Sequence, residues 1–252
     1  LHTSFVATDY TCSPSVEDSD LACYFIPDAA LTEEFASCGV PQERLVPSGL
    51  PVRPAFYQTE DKAAAKAALG IPADHQHILM MCGSIGCGPI KELTEELSIR
   101  LSPHQVLTVV CGANEELYAK LQKRFDGYRG IRILGLADNV PQLMYSADLF
   151  LSKPGGLSTT EAAACGLPMV LIDTVAGCEG HNLEFFLHRG FAVTADTPRL
   201  LADTAMALLA DPERRAAMAA AMMRPDTETP AQRIYHHLRQ PQNTAAAAER
   251  YA

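Results

Sequence analysis

The chain of 252 residues carries 30 acidic against 20 basic side chains, a formal charge of −10, with 48% hydrophobic residues. This is ordinary globular composition, long enough for one large domain or one and a half but short for two complete α/β domains at roughly 150 residues each. A pI near 5.2 without a Lys/Arg-rich run argues against nucleic acid as the main partner, because neutralising phosphates takes a clustered positive surface.

Taken in chain order, the opening on Leu1 without a preceding Met reads as a fragment, with no basic n-region or cleavage site of a secretory signal. A strand at Phe5, another near Tyr24-Phe25-Ile26, a helix from Asp28 to Ser37 closed by Gly39 and a strand near Leu45-Val46 look like the end of an α/β unit. Residues Pro47 to Pro54 hold three prolines and a glycine, the composition of a semi-rigid linker. From residue 77 short apolar runs alternate with helical segments: strands are expected at His77 to Met81, Val106 to Val110, Arg132 to Leu134, Leu149 to Leu151, Met169 to Ile172 and Ala192 to Val193. Asn114 can cap a helix from Glu115 to Arg124, and Gly166 and Gly190 sit just past two others. Ala-rich helices follow from Pro198 to Met223, then a last helix from Ala231 to Arg239 and a frayed tail. The expected fold is α/β, with six parallel strands in a Rossmann-like order. Its expected parts are residues 1–58, 59–224 and 225–252. No apolar stretch reaches the roughly 18 residues of a membrane span. The eight cysteines form no CxxC pair and have no His at zinc spacing, which predicts reduced packing residues rather than disulfides or a structural metal.

Three loops fall on one sheet edge. The first, Cys82-Gly83-Ser84-Ile85-Gly86-Cys87-Gly88-Pro89, follows a strand and opens a helix, so glycine backbone, helix N-terminus and the Ser84 hydroxyl can cradle a phosphate; the alternative is a tight βα turn. It is neither GxGxxG nor a P-loop. The second, Lys153-Pro154-Gly155-Gly156-Leu157-Ser158-Thr159-Thr160-Glu161, repeats the logic, and Glu161 can accept both hydroxyls of a ribose. Ser158-x-x-Glu161 also reads as a capping box, the favoured reading of these residues alone. The third, Asp173 to Asn182, is polar and can meet sugar hydroxyls or simply be a solvated loop, with His181 a helix-start residue. Arg53 is the basic group best placed to reach a diphosphate across a cleft, or a surface charge.

The run Lys153 to Ala162, followed by Gly166-Leu167-Pro168-Met169, resembles the processive diacylglycerol glycosyltransferases and monogalactosyldiacylglycerol synthases of glycosyltransferase family 28. Val6-Ala7-Thr8-Asp9-Tyr10, Tyr24-Phe25-Ile26-Pro27 and Ser48-Gly49-Leu50-Pro51-Val52-Arg53-Pro54 look like that family's inter-domain region, so the resemblance covers nearly all of residues 3 to 240. It implies a GT-B fold: a complete C-terminal Rossmann-like donor domain and the end of an N-terminal acceptor domain. It also implies a UDP-sugar donor, a diacylglycerol-type lipid acceptor at the inner face of the cell membrane, a cytoplasmic enzyme and an inverting reaction without cofactor or metal. Carried over, Glu161 binds the ribose, Gly83, Ser84 and Gly155-Gly156-Leu157-Ser158 the diphosphate, Arg53 a phosphate oxygen and backbone near Leu136 the uracil, while Glu179 and Asn182 contact the hexose. The family's usual Pro-Gly-Gln-Glu is here Ala176-Gly177-Cys178-Glu179, which leaves the sugar open. The family's Gly-His-rich loop, lipid surface and base belong to a segment these residues do not include, and Asp9 is a weak candidate for acceptor activation, with a structural cap as its rival. Three readings compete: N-acetylglucosaminyl transfer to a peptidoglycan precursor, a non-catalytic UDP-sugar-binding remnant, and a nicotinamide-dependent oxidoreductase, the last weakened by the missing GxGxxG.

Overall fold

Among the described residues, apolar runs too short for helices and flanked by turn residues form nine strands in two parallel sheets. The computed structural model describes residues 3–16, 18–58, 60–83, 88–172, 177–223 and 228–240. Strands β1 (Ser4–Val6), β2 (Cys23–Ile26) and β3 (Leu45–Pro47) make a sheet of order β1-β2-β3. Strands β4 (Gln76–Met81), β5 (Gln105–Val110), β6 (Ile131–Leu134), β7 (Leu149–Ser152), β8 (Met169–Ile172) and β9 (Ala192–Ala195) make the second, of order β6-β5-β4-β7-β8-β9. All six expected strands of this sheet are present, and β7 and β8 are buried along their whole length, as a sheet covered on both faces requires.

The helices are α1 (Thr32–Ser37), α2 (Lys62–Ala68), α3 (Ile90–Ser98), α4 (Glu115–Arg124), α5 (Val140–Ser146), α6 (Gly156–Ala164), α7 (Cys178–His188), α8 (Pro198–Ala210), α9 (Pro212–Met222) and α10 (Pro230–Arg239). Asn114 caps α4 by accepting from the Leu117 N–H at 2.9 Å, and Gly166 and Gly190 take φ of 63° and 69° just past α6 and α7. The segment expected as one helix from Asp28 begins as a 3-10 turn, Ala29–Leu31, because the Asp28 side chain caps Ala30. The Ala-rich stretch is two helices, since Asp211 caps a new one at Pro212.

Two expectations change. The proline-rich segment is packed down: Leu50, Val52 and Phe56 are buried, and Pro54–Tyr57 forms a 3-10 turn against α6. Of the described cysteines, Cys23, Cys82 and Cys111 are buried, but Cys12, Cys38, Cys165 and Cys178 are half-buried; Cys87 lies outside the described residues. The tail from 243 also lies outside them.

At the amino end of the second sheet a polar network fills the core. His77 is fully buried, its Nδ1 2.9 Å from Ser146 Oγ and its Nε2 2.8 Å from Thr108 Oγ1. Asp148 accepts from the His77 N–H at 2.9 Å and pairs with Lys66 at 3.0 Å and Lys62 at 2.9 Å. Burial alone would raise the Asp148 carboxyl; the Lys62 charge and the surrounding hydrogen bonds outweigh it and hold it below the usual range. Burial also pushes the His77 pKa down from 6.5 to about 4, against the pull of Asp148. The unfolded chain therefore takes up this proton first as pH falls, so stability is intact above 6.5 and declines between 6.5 and 4. Chemical denaturation at pH 7.5 and pH 5 should show a loss of about 2 kcal/mol at the lower pH that is absent in His77→Gln.

Candidate functional site

The second sheet starts at its centre with β4, runs outward through β5 and β6, then returns to place β7 beside β4, in the register Ile78↔Leu149, Leu79↔Phe150 and Met80↔Leu151. Crossovers diverge to opposite faces at such a reversal and open a crevice at the carboxyl ends of the two strands. The first and second glycine-rich loops leave β4 and β7 at this point. Gly83 and Gly88 have φ of 74° and 100°, which only glycine adopts without strain. Ser84, expected on the diphosphate, lies outside the described residues, as do Asp173 to Ala176 of the third loop.

In the second loop the capping-box reading fails. The N-cap of α6 is Gly155, which offers no side-chain hydrogen bond; Ser158 and Glu161 lie inside the helix. An uncapped first turn leaves amides facing the crevice, the arrangement that binds anions. The Thr159 and Thr160 hydroxyls donate back to Gly155 O at 2.9 Å and Gly156 O at 2.6 Å. Glu161 is half-buried and accepts no hydrogen bond from a described residue; burial raises its carboxyl above the ordinary range, and the Arg53 charge partly offsets this. Arg53 is exposed, with its guanidinium 5.2 Å from the Phe56 ring centroid. The packed proline segment therefore delivers a cation to the face of α6 that carries the Glu161 carboxylate.

Lys153 is the residue that sequence reasoning missed. Its side chain bridges the two loops: Cε lies 2.9 Å from the position a Cβ on Gly83 would take. Nζ pairs with Glu179 Oε1 at 2.6 Å, both side chains being about 30% exposed (29% and 28%). Glu179 is the second residue of α7, whose N-cap Gly177 has a φ of 88°. A lone Lys before Pro-Gly-Gly was the only signal in the sequence. Leu136, after edge strand β6, is 74% exposed. Leu157 is exposed and Ser158 half-buried on the first turn of α6.

Asn182 departs from its expected place on the hexose. It is fully buried, its Oδ1 accepting from the Tyr10 N–H at 2.6 Å and its Nδ2 donating to Asp9 Oδ1 at 2.8 Å and Pro154 O at 2.9 Å. Its amide is used in tying the first sheet to the second loop. Gly156 has a related job: a Cβ there would lie 1.9 Å from Thr8 O and 3.1 Å from Asp9 Oδ1, so the loop after β1 rests directly on α6. Tyr10 completes the junction, stacking 4.3 Å from Phe185 and meeting Thr160 Oγ1 at 2.9 Å. Asp9 is thereby held beside the α6 N-terminus. His181 is exposed on α7.

Two other features lie apart from the crevice. A cavity of about 760 Å³ between Tyr10, Phe185, Phe191 and Met222 is lined by none of the expected donor residues. Among the described residues, a grouping able to ligate a metal is Asp74, His75 and His104, before β4 and β5 at the amino end of the sheet.

Residues 90–223, more than half of the chain, match the family model described as Glycosyl transferases group 1. The chain belongs to this family. Proteins named processive diacylglycerol beta-glucosyltransferase are similar to it: that of Staphylococcus saprophyticus is 30% identical over 218 residues, 86% of this chain and 56% of the relative. The Bacillus mycoides protein is 30% identical over 220 residues with the same coverage. This glycosyltransferase chain thus spans just over half the length of the curated relatives it matches. Among solved structures, Anabaena HepE in complex with UDP and glucose has a TM-score of 0.60 at 20% identity, covering 93% of this chain and 70% of that one. WaaG, a glycosyltransferase involved in lipopolysaccharide biosynthesis, has a TM-score of 0.57 at 15% identity, covering 90% and 75%. The fold is the GT-B kind expected from the sequence.

The glycine contacts separate two neighbouring positions. Gly156→Ala should lower stability by about 1 to 3 kcal/mol in thermal unfolding, because its methyl meets backbone. Gly155→Ala should leave it nearly unchanged, since its nearest neighbour would be Glu179 Oε1 at 3.9 Å.

Proposed function

We propose that the crevice between β4 and β7 binds a UDP-sugar and that the whole protein transfers its hexose to a diacylglycerol-type lipid, with inversion. In this reading the diphosphate lies over Gly83 and the Gly155-Gly156-Leu157-Ser158 turn, with Arg53 on a phosphate oxygen. Glu161 accepts the ribose hydroxyls, backbone near Leu136 meets the uracil, and Glu179 faces the hexose. A base removes the proton of the acceptor hydroxyl, which attacks the anomeric carbon as the bond to UDP breaks, and the first-turn amides of α6 stabilise the leaving diphosphate. Asp9, held by Asn182 beside that turn, is the candidate for steering the acceptor. Residues 1–58 form the end of the acceptor domain and 59–224 the donor domain. The lipid acceptor puts the protein on the cytoplasmic face of a membrane as a peripheral enzyme; no helix among the described residues is long and apolar enough to cross one.

Glu161 carries the proposal. A half-buried carboxylate with no hydrogen-bond donor among the described residues, on the helix that the Gly155-Gly156 turn opens and near an arginine, suits a diol that donates two hydrogen bonds to it. The names of the relatives support the lipid acceptor, and the UDP in the Anabaena HepE structure supports the nucleotide. Calorimetric titration should show saturable UDP binding that Glu161→Ala weakens about 10- to 100-fold, with thermal stability nearly unchanged because the side chain makes no hydrogen bond to the described residues. Equal affinity in wild type and variant would remove Glu161 from the site.

A further inference from the structure

We propose that Lys153 and Glu179 are an exchangeable ion pair: the donor's diphosphate takes the Lys153 ammonium from Glu179, and the released carboxylate is handed to the hexose hydroxyls. This rests on the UDP-sugar reading of the crevice.

The pair occupies the place where such a diphosphate lies. Lys153 Cε is 2.9 Å and Nζ 3.6 Å from the position of a Cβ on Gly83, while Glu179 Oε1 and Lys153 Cε are 3.9 and 4.0 Å from that of a Cβ on Gly155. One lysine side chain therefore spans both glycine turns, and an anion seated between them must meet its ammonium. It pairs with the Glu179 carboxylate at 2.6 Å. Both side chains keep about 30% exposure (29% and 28%), so separating them strands neither charge in a dry interior. Each has a second source of stabilisation. The ammonium has three donors on a flexible stem and suits a diphosphate at least as well as a carboxylate. Glu179, in the first turn of α7, sits where the helix dipole favours a negative charge after Lys153 has turned away.

The consequence is a discrimination between donor and product. UDP alone takes Lys153 and leaves Glu179 without hydroxyl donors, whereas a UDP-hexose supplies them. Once the hexose has left, Glu179 competes again for Lys153 and loosens UDP.

The test is calorimetric titration of this chain with UDP and UDP-glucose. Lys153→Met should weaken both about tenfold or more. Glu179→Gln should tighten UDP about three- to tenfold by removing the competing carboxylate, and should reduce the preference for UDP-glucose over UDP. In the Lys153→Met background, Glu179→Gln should no longer tighten UDP, a coupling that a merely structural pair would not show. The inference is overturned if Glu179→Gln leaves UDP affinity unchanged or weakens it, or if it tightens UDP equally without Lys153. Wild type binding neither ligand would bring down the UDP-sugar reading itself, and this inference with it.

Discussion

The parallel pairing of β4 with β7 is the contact on which the candidate site depends. Three residue pairs, from Ile78↔Leu149 to Met80↔Leu151, bring strands far apart in the chain into direct neighbourhood. Their carboxyl ends then finish side by side, and both following loops must climb away to opposite faces. The crevice is a by-product of strand order, and the glycines are what let it stay open to a ligand. A side chain at Gly83 would strike Lys153, and one at Gly156 would strike the backbone of Thr8.

The same edge joins the two sheets. Asn182 spends its amide on Asp9, Tyr10 and Pro154, groups from two segments that are remote from each other in sequence. Phe25 of β2 also meets His237 of α10, ring centroids 5.5 Å apart, so the chain's last described helix returns to its first sheet. Arg189 pairs with Asp28 across the same junction. These contacts are polar or aromatic, and those of Asn182 fix the α6 N-terminus against the loop that carries Asp9. A site assembled at such a junction inherits its geometry from both sides.

Charge is distributed in keeping with this. A chain of net charge −10 gathers Lys153 and Arg53 about a helix N-terminus, where the carboxylates of Asp9, Glu161 and Glu179 also lie. The one carboxylate near it that has no hydrogen-bond donor among the described residues, Glu161, is half-buried. Glu179 is paired with Lys153, and Asp9 accepts a hydrogen bond from Asn182.

Much of the fold was legible in the residues because its signals are local. Short apolar runs bounded by Gly or Pro marked every strand of the second sheet, and Asn114, Gly166 and Gly190 marked helix ends through cap chemistry that involves only neighbouring residues. The glycine loops were legible for the same reason. What the sequence could not disclose was which partner a polar side chain would find. Ser158-x-x-Glu161 has the spacing of a cap, yet Gly155 takes that position, because the turn after Pro154 starts the helix earlier. Asn182 looked like a sugar contact and is an internal strut, since only the docking of β1 on α6 brings Asp9 and Tyr10 to it. Lys153 stood out in the sequence only as the residue before Pro-Gly-Gly; its place across Gly83 exists only once β4 and β7 are neighbours. Periodicity and turn chemistry thus determined the elements and their order, while tertiary structure decided the roles of the polar groups. Their hydrogen bonds and ion pairs join residues that only the folded chain brings within 3 Å of each other.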